Sequence, residues 1–282
     1  MYFCKLMEET QKIPEKLIQL DKVLAAKGIK APKWVVRLLG RLLHVDEINK
    51  GVYLHRDKQG VEFAKAILEY LDIKVQLFNP ELIPSTGSPI VVANHPLGGP
   101  DGMALIAAVG SLRNDILFPV NDFLMYLSPL SSVFVPVDKV HGNRGTAAGL
   151  NAAFAGENAL LYFPAGLCSR RVKGKIRDLE WKSTVVKKAL QHHRDIVPVF
   201  IDARNRRRFY TIANLRKRLG IKFNFEMALL PGEMFAQRGK TFRMTVGEPI
   251  PWQRLDDGRP ASEWAQLLKE EVYKLSEKSN KK

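Results

Sequence analysis

The chain has 282 residues and a formal net charge of +15, with 44 Lys and Arg against 29 Asp and Glu. Hydrophobic residues make up 46% and charged residues 26%, a globular composition that excludes wholesale disorder. Two cysteines, Cys4 and Cys168, are too few for a disulfide framework or a zinc finger, so we expect a reducing, cytoplasmic compartment. The charge excess alone leaves nucleic acid, an anionic membrane surface and acidic substrates open as partners.

Targeting and membrane-spanning signals are not evident along the chain. Glu8 and Glu9 interrupt the N-terminus before an apolar signal-peptide core can form. No stretch approaches the roughly 20 apolar residues that a spanning helix needs. We therefore expect neither a signal peptide nor a transmembrane helix.

The first 72 residues are predicted to be helical. One helix is expected to start near Thr10, and a second is expected to begin after Pro32 and to continue to Val45. The second helix carries an apolar side with Trp34, Leu38, Leu42 and Val45, and a basic side with Arg37, Arg41 and His44. We predict that Arg37 and Arg41 face an anionic membrane; the alternative is a helix packed on the core with exposed arginines.

From residue 73 onward, short apolar runs rich in β-formers alternate with helical patterns. The predicted strands are Lys74–Phe78, Pro89–Ala93, Ile116–Val120, Val133–Val137, Ala159–Phe163, Ile196–Ile201 and Phe242–Val246. The predicted helices are Val61–Leu71, Gly102–Leu112, Trp181–His192 and a final one after about residue 260. We therefore predict an N-terminal helical segment over 1–72 and an α/β domain over 73–282. Its mixed, largely parallel sheet is flanked by helices, and near-continuous apolar strands indicate burial on both faces.

The most informative stretch follows the predicted strand that ends at Ala93. His95 is suited to proton transfer near neutral pH, and Asp101 is placed to fix its tautomer. Gly98 and Gly99 let the backbone approach a ligand closely. Sites in open α/β sheets lie beyond the carboxyl ends of strands, so this loop is a candidate active site. The alternatives are that Asp101 is only a helix N-cap and that His95 is structural.

Four blocks in this order resemble the glycerolipid acyltransferases, the PlsC-like superfamily that includes lysophosphatidic-acid acyltransferases. Residues 94–102 resemble the His-Asp block, and residues 133–139 resemble the second motif. Residues 163–170 (FPAGLCSR) resemble the third motif, and residues 197–199 resemble the Pro-containing fourth. The resemblance covers roughly residues 75 to 250.

This chain departs from the family pattern at three positions. Five residues separate His95 from Asp101 where four are usual, Ala165 replaces a Glu, and Lys139 replaces an Arg. In the family, the last two positions help hold the glycerol-phosphate end of the acceptor. A related branch acylates lyso-aminolipids of the ornithine or glycine type, so both acceptor classes stay open.

The resemblance implies direct acyl transfer from a thioester of acyl-carrier protein or coenzyme A, with no resident cofactor or metal. His95 is expected to act as general base and Asp101 to orient it. Backbone N–H groups around Gly98, Gly99 and Gly166 are expected to stabilise the oxyanion. The acceptor-binding residues are expected to be Lys139, Gly166, Ser169 and Arg170. Cys168 is interpreted as a small core or pocket residue and not as a nucleophile.

The charge excess is local. Residues 165–220 contain 16 Lys and Arg against four Asp and Glu, which accounts for +12 of the +15. Arg170 is the predicted partner of an anionic substrate group. The clusters at 204–208 and 216–218 are predicted to dock anionic lipid or acidic acyl-carrier protein; the alternative is a solvated basic face.

Three functional hypotheses follow. The first is a peripheral acyltransferase on the cytoplasmic face of the cell membrane. The second is a nucleic-acid-binding protein, although no helix-turn-helix, zinc-finger or aromatic RNA-binding motif accompanies the charge. The third is a catalytically inactive lipid-binding module, suggested by the altered His–Asp spacing and by Ala165.

Overall fold

The computed structural model describes residues 18–26, 28, 30–120, 124–136 and 144–279. Its helices are α1 (Leu20–Ala26), α2 (Lys33–Leu42), α3 (Val45–Leu54), α4 (Gly60–Tyr70), α5 (Pro100–Gly110), α6 (Arg144–Ala155), α7 (Thr184–His192), α8 (Arg207–Arg218), α9 (Leu230–Phe235) and α10 (Ala261–Ser279). Its strands are β1 (Lys74–Phe78), β2 (Ile90–Ala93), β3 (Ile116–Val120), β4 (Phe134–Pro136), β5 (Ala159–Tyr162), β6 (Arg170–Val172), β7 (Lys175–Arg177), β8 (Ile196–Asp202) and β9 (Thr241–Val246). The predicted helix start near Thr10 lies outside the described residues.

Seven strands form one mixed sheet in the order β1-β9-β8-β2-β5-β3-β4. The five strands from β8 to β4 are parallel, whereas β9 is antiparallel to β8 and parallel to β1. The predicted α/β class with a mixed, largely parallel sheet is therefore confirmed. Strand β2 lies inside the sheet, between β8 and β5, and this position places the loop that follows it at the centre of the carboxyl edge.

The sheet is buried on both faces, as the near-continuous apolar strands predict. All four residues of β2 are fully buried: Val91 and Ala93 join the core on one face, and Ile90 and Val92 join the core on the other. This division follows from the alternation of side chains along a strand. Helices α4 and α5 cover the first face, while α7 and α10 cover the second.

Each of the seven predicted strands forms a strand of the sheet, and the ends that fall on described residues differ by at most one residue. Val137, the predicted end of the fourth strand, lies outside the described residues. The predicted boundary at residue 73 stays a prediction. Helix α4, on its N-terminal side, contributes Phe63 and Leu68 to the core that also contains the buried face of α5.

The predicted helix from Pro32 to Val45 is wrong at its C-terminal end. Helix α2 stops at Leu42, because His44 adopts a left-handed conformation with φ of 50°. The break reorients the chain so that Val45, the first residue of α3, is buried, whereas α2 contains no buried residue. His44 therefore lies outside the helical stripe formed by Arg37 and Arg41.

Several elements were not predicted from the sequence. These are α3, α6, α8, α9 and the antiparallel β6–β7 hairpin. The hairpin turns at Lys173 and Gly174, both with positive φ (48° and 80°), which is the backbone of a two-residue hairpin turn. No helix among the described residues has the length and apolar character needed to cross a membrane.

Candidate active site

The loop after β2 carries the candidate catalytic residues, and Asn94 fixes its start. The Asn94 Nδ2 donates to the Ile201 carbonyl at 3.0 Å, and its Oδ1 accepts from the Ile201 N–H at 2.7 Å. Because this buried amide satisfies both backbone groups of its neighbour in β8, the end of β2 is locked in register. His95 thereby emerges at a fixed point on the carboxyl edge of the sheet.

His95 and Asp101 form the central pair of the site. Asp101 Oδ2 lies 3.0 Å from His95 Nδ1 and also accepts from the Leu97 N–H at 2.8 Å. The Asp101 side chain is fully buried, and its Oδ1 accepts from the Gly102 N–H at 3.0 Å. Gly99 occupies the N-cap position of α5 and Asp101 lies in the first turn, so Asp101 is not merely the cap of this helix.

The extra residue between His95 and Asp101 is accommodated by Gly98. Its φ of 103° lies in a region that side chains disfavour, and a Cβ there would approach Leu230 Cδ1 to 2.9 Å. The Gly98 N–H reaches Asp101 Oδ2 at 3.4 Å. The loop thus bends sharply and still keeps the carboxylate against the imidazole.

The charges around His95 set its protonation. Burial lowers the pKa of His95, but the Asp101 charge, the Asp101 hydrogen bond and the Asp178 charge outweigh burial and hold the pKa above its ordinary value. Burial raises the pKa of Asp101, but His95 and backbone N–H groups bring the pKa below its ordinary value. Asp101 is therefore ionised at neutral pH and fixes the proton of a neutral imidazole on Nδ1. The Nε2 atom makes no hydrogen bond within the described residues.

Asp178 is a site residue that sequence reasoning missed. Its buried carboxylate accepts from the His95 backbone N–H at 3.2 Å, from the Ser169 hydroxyl at 2.6 Å and from Trp181 Nε1 at 2.9 Å. Tyr273 accepts from the Asp178 N–H at 2.7 Å. Asp178 follows the β6–β7 hairpin and belongs to none of the four recognised motifs. The motif pattern therefore does not identify it as a site residue.

The third motif packs directly against His95. The Phe163 ring stacks on the imidazole, with 4.2 Å between centroids and 19° between planes. The Ser169 N–H donates to the His95 carbonyl at 2.7 Å, and the side chain of Ser169 is buried against Asp178. The structure therefore places Ser169 behind the histidine. Ala165 is buried in the adjacent core.

Arg170, the predicted partner of an anionic substrate group, is buried and internally bonded. One guanidinium nitrogen donates to the Cys168 carbonyl at 2.7 Å, and another donates to Glu226 at 3.0 Å. Glu226 is fully buried and also lies 2.8 Å from the Arg216 guanidinium. Arg170 thus joins the third motif to the segment around Glu226, and its anion-binding role stays a prediction.

The backbone groups predicted to form an oxyanion site differ in availability. The Gly98 N–H is directed at Asp101, and the Gly166 N–H donates to the Phe163 carbonyl at 3.0 Å. Gly99 is exposed, and its N–H has no acceptor within the described residues. Lys139, predicted to bind the acceptor, lies outside the described residues.

Two further sequence predictions concern Cys168 and helix α2. The Cys168 thiol is fully buried, and burial raises its pKa to about 11, so the thiol stays protonated and acts as a core residue. Arg37 and Arg41 are exposed on α2, a helix that contains no buried residue. The described residues hold no group of three or more His, Cys, Asp or Glu that could bind a metal ion.

The mixed, largely parallel sheet makes this chain an α/β protein, and the hydrogen-bonded His95–Asp101 pair lies beyond the carboxyl end of its central strand β2. A family model described as acyltransferase matches residues 21–280, so the chain belongs to that family and is an acyltransferase. The predicted resemblance is thereby confirmed.

Three known proteins extend the comparison. A protein of Phocaeicola vulgatus named lyso-glycine lipid O-acyltransferase is 43% identical over 265 residues, covering 92% of this chain and 95% of its own. A protein of Bacteroides thetaiotaomicron with the same name is 44% identical, covering 92% of this chain and 97% of its own. The crystal structure of the 1-acyl-sn-glycerophosphate acyltransferase PlsC from Thermotoga maritima has a TM-score of 0.47 and 17% identity, covering 90% of this chain and 87% of its own.

Proposed function

We propose that this chain transfers a fatty acyl group from an acyl thioester to the hydroxyl of a lyso-aminolipid of the glycine type. The proposed acceptor class rests on one observation. Two relatives, each at least 43% identical over 92% of this chain, share the name lyso-glycine lipid O-acyltransferase. Glycine itself has no hydroxyl, so an O-acylated glycine lipid must offer a hydroxyl on its fatty chain. The acceptor is accordingly an N-(hydroxyacyl)glycine with a free carboxylate.

In the proposed mechanism His95 is the general base and Asp101 orients it. His95 Nε2 takes the hydroxyl proton as the acceptor oxygen bonds to the thioester carbonyl carbon. Asp101 holds the Nδ1 proton and stabilises the imidazolium that forms. The C–S bond then breaks, and the leaving thiolate of acyl-carrier protein or coenzyme A takes the proton from the His95 imidazolium. No bond to the protein is formed.

Charge on the tetrahedral carbonyl oxygen needs a hydrogen-bond donor in the loop. The exposed N–H of Gly99 is the proposed donor, because the neighbouring Gly98 N–H is directed at Asp101. Pro96 and Pro100 have no N–H to offer.

We further propose that the protein works at the cytoplasmic face of the cell membrane, held by α2. Three large apolar side chains on this helix are exposed to 68%, 59% and 46%: Trp34, Leu38 and Leu42. Arg37 and Arg41 are exposed on the same helix and complement anionic headgroups. A protein held on the membrane by α2 would reach a lipid acceptor that lies in the membrane.

Acyl transfer by the purified protein tests the function. With acyl-carrier-protein and coenzyme A thioesters as donors and N-(hydroxyacyl)glycine as acceptor, we expect ester formation with one of the donors. His95→Ala should reduce turnover to background, because it removes the proposed general base, whereas the control His55→Ala should retain activity. Full turnover by His95→Ala would contradict the mechanism.

Lipid analysis after depletion of the protein tests the acceptor class. Accumulation of the singly acylated amino acid is expected. Accumulation of lysophosphatidic acid instead would assign the chain to the glycerol-phosphate pathway.

A further inference from the structure

Beside the active-site loop lies a strongly cationic pocket of about 330 Å³. Five basic residues line it: Arg171, Arg204, Arg206, Arg207 and Lys240. None of the described residues that line it is acidic. Only Arg206 among the five is paired with a carboxylate, that of Glu233 at 3.2 Å. Five clustered cations, four of them without a carboxylate partner among the described residues, give the pocket the electrostatic character of an anion site.

Strand alternation separates Arg170, the last residue of the third motif, from Arg171, which follows it. Arg170 and Arg171 are adjacent in β6 and so point to opposite faces of the strand. Arg170 is buried against Glu226, whereas Arg171 lines the pocket and lies over the Tyr210 ring. The guanidinium left available to an external anion at this motif is therefore that of Arg171.

Asn205 connects the pocket to the catalytic loop. Its Nδ2 donates to the Pro96 carbonyl at 3.3 Å, one residue from His95, and it also lines the pocket. The Asn205 side chain is 3% exposed, and its Oδ1 has no hydrogen-bond partner among the described residues. A buried oxygen that accepts no hydrogen bond lowers the stability of the protein, and a ligand that donates to it removes this cost. Helix α8 begins at the same place, with Arg207, and adds the positive end of its dipole.

We propose that this pocket binds the glycine end of the acceptor, and this inference rests on the proposed function. An N-acylglycine carries a carboxylate for the cluster of cations and, one carbon away, an amide N–H for Asn205 Oδ1. The acceptor's hydroxyl, further along its fatty chain, then extends past Pro96 towards His95. The pocket thus selects an amino-acid lipid.

The test compares two acceptors that differ only at the glycine end, where one has a carboxylate and the other a neutral amide. A short-chain N-(hydroxyacyl)glycine is assayed beside its uncharged glycinamide counterpart, with wild type and with the exposed double variant Arg204→Gln/Arg207→Gln. We expect the acid-to-amide ratio of kcat/KM to fall by about tenfold in the variant, through the KM of the acid, because charged hydrogen bonds are lost. The matched control Lys187→Gln/Arg254→Gln removes two charges at exposed residues that do not line the pocket, and it should keep the wild-type ratio.

Two results would overturn the proposal. One is an unchanged acid-to-amide ratio. The other is a rise in the KM of the thioester donor alone, which would assign the pocket to the donor's phosphate. Calorimetry with N-octanoylglycine and N-octanoylglycinamide, which have no hydroxyl, tests the same preference without turnover. Loss of the acid's preferential binding in the variant supports the pocket even if acyl transfer to this acceptor fails, so the two failures are distinguishable.

Discussion

Two carboxylates act on His95 from opposite ends of the residue. Asp101 lies at the ring Nδ1, and Asp178 accepts the hydrogen bond of the backbone N–H. Asp101 determines which nitrogen carries the proton, whereas Asp178 fixes the main chain and ties it to Ser169 and Trp181. Both negative charges favour the imidazolium, so each contributes to the base strength of His95.

Asp178→Asn should change the pH dependence of the reaction. The pKa of His95 is held above its ordinary value in part by the Asp178 charge, and only neutral His95 accepts a proton. Removing that charge lowers the pKa, so the acid limb of the kcat/KM profile should move to lower pH. The amide also turns a donor towards one of the groups that donate to Asp178, which should lower the free energy of unfolding by about 1–3 kcal/mol.

Trp181→Phe is the matched control for this prediction. It removes the 2.9 Å hydrogen bond from Trp181 Nε1 to Asp178 but keeps the carboxylate charge. It should destabilise the fold without moving the acid limb. An acid limb that stays in place in Asp178→Asn would show that Asp178 acts on stability alone.

At the residue scale, sequence reasoning identified the catalytic candidates that lie close together along the chain. His95 and Asp101 are six positions apart, and the loop that joins them closes on itself. Asp178 lies 83 positions from His95, and Glu226 lies 56 positions from Arg170. Such pairs are set by how strands and loops converge at the sheet edge, which no pattern within a single segment reveals.

At the element scale, α2 is unusual because its apolar side faces solvent. Trp34, at 68% exposure, is among the most exposed large apolar side chains of the described residues. The alternative of a helix packed on the core does not fit, since α2 has no buried residue. The sequence pattern marked an amphipathic helix correctly, but a pattern alone does not say whether core or membrane covers the apolar side.

Charge reversal on α2 should weaken membrane binding. Each basic residue near an anionic surface contributes about 1 kcal/mol, so Arg37→Glu/Arg41→Glu should lower partitioning into phosphatidylglycerol vesicles by at least about 30-fold. Vesicle sedimentation measures this. The control Lys187→Glu/Arg254→Glu makes the same change in net charge on exposed residues of α7 and of the segment between β9 and α10, and it should bind nearly as wild type. Equal partitioning of both double variants with wild type would exclude α2 as the membrane contact.

Element prediction succeeded where apolar runs are short and bounded by turn residues, as in the seven sheet strands. It failed where tertiary contacts decide the structure. Helix α8 has a strongly polar sequence, and only Phe209, Tyr210 and Ala213 are buried. The β6–β7 hairpin contains mostly basic residues, and its Lys173-Gly174 turn was the one local signal available.

At the scale of the whole molecule, the two edges of the sheet use their basic residues differently. At the carboxyl edge, five cations line the pocket beside the catalytic loop, and four of them have no carboxylate partner among the described residues. At the amino edge, Arg113 donates to the Pro84 and Gly87 carbonyls at 2.6 and 2.7 Å, and Arg194 is 1% exposed. The formal charge of +15 therefore overstates the charge that is free to meet a partner, because part of it is bound inside the fold.

Arg194 tests whether the basic residues bound inside the fold act through their hydrogen bonds and not through their charge. Its guanidinium donates to carbonyls from two separate segments, Ser88 at 2.6 Å and Phe154 at 2.9 Å, and it also bonds the Asn158 carbonyl. Lysine keeps the charge but offers three donors from one nitrogen, so it cannot span these acceptors. We expect Arg194→Lys to lower the free energy of unfolding by about 2–4 kcal/mol, measured by urea denaturation, because buried carbonyls lose their donors.

The control for Arg194→Lys is Arg254→Lys, an equal change at an exposed site, which should stay within about 0.5 kcal/mol of wild type. Both variants keep the net charge at +15. If charge count alone governed stability, the two would unfold alike. A large difference is expected because the planar fork of Arg194, and not its charge, joins the strand-leading loops at the amino edge. Those loops set where β2 and β5 begin, and β2 in turn sets where His95 emerges at the other edge.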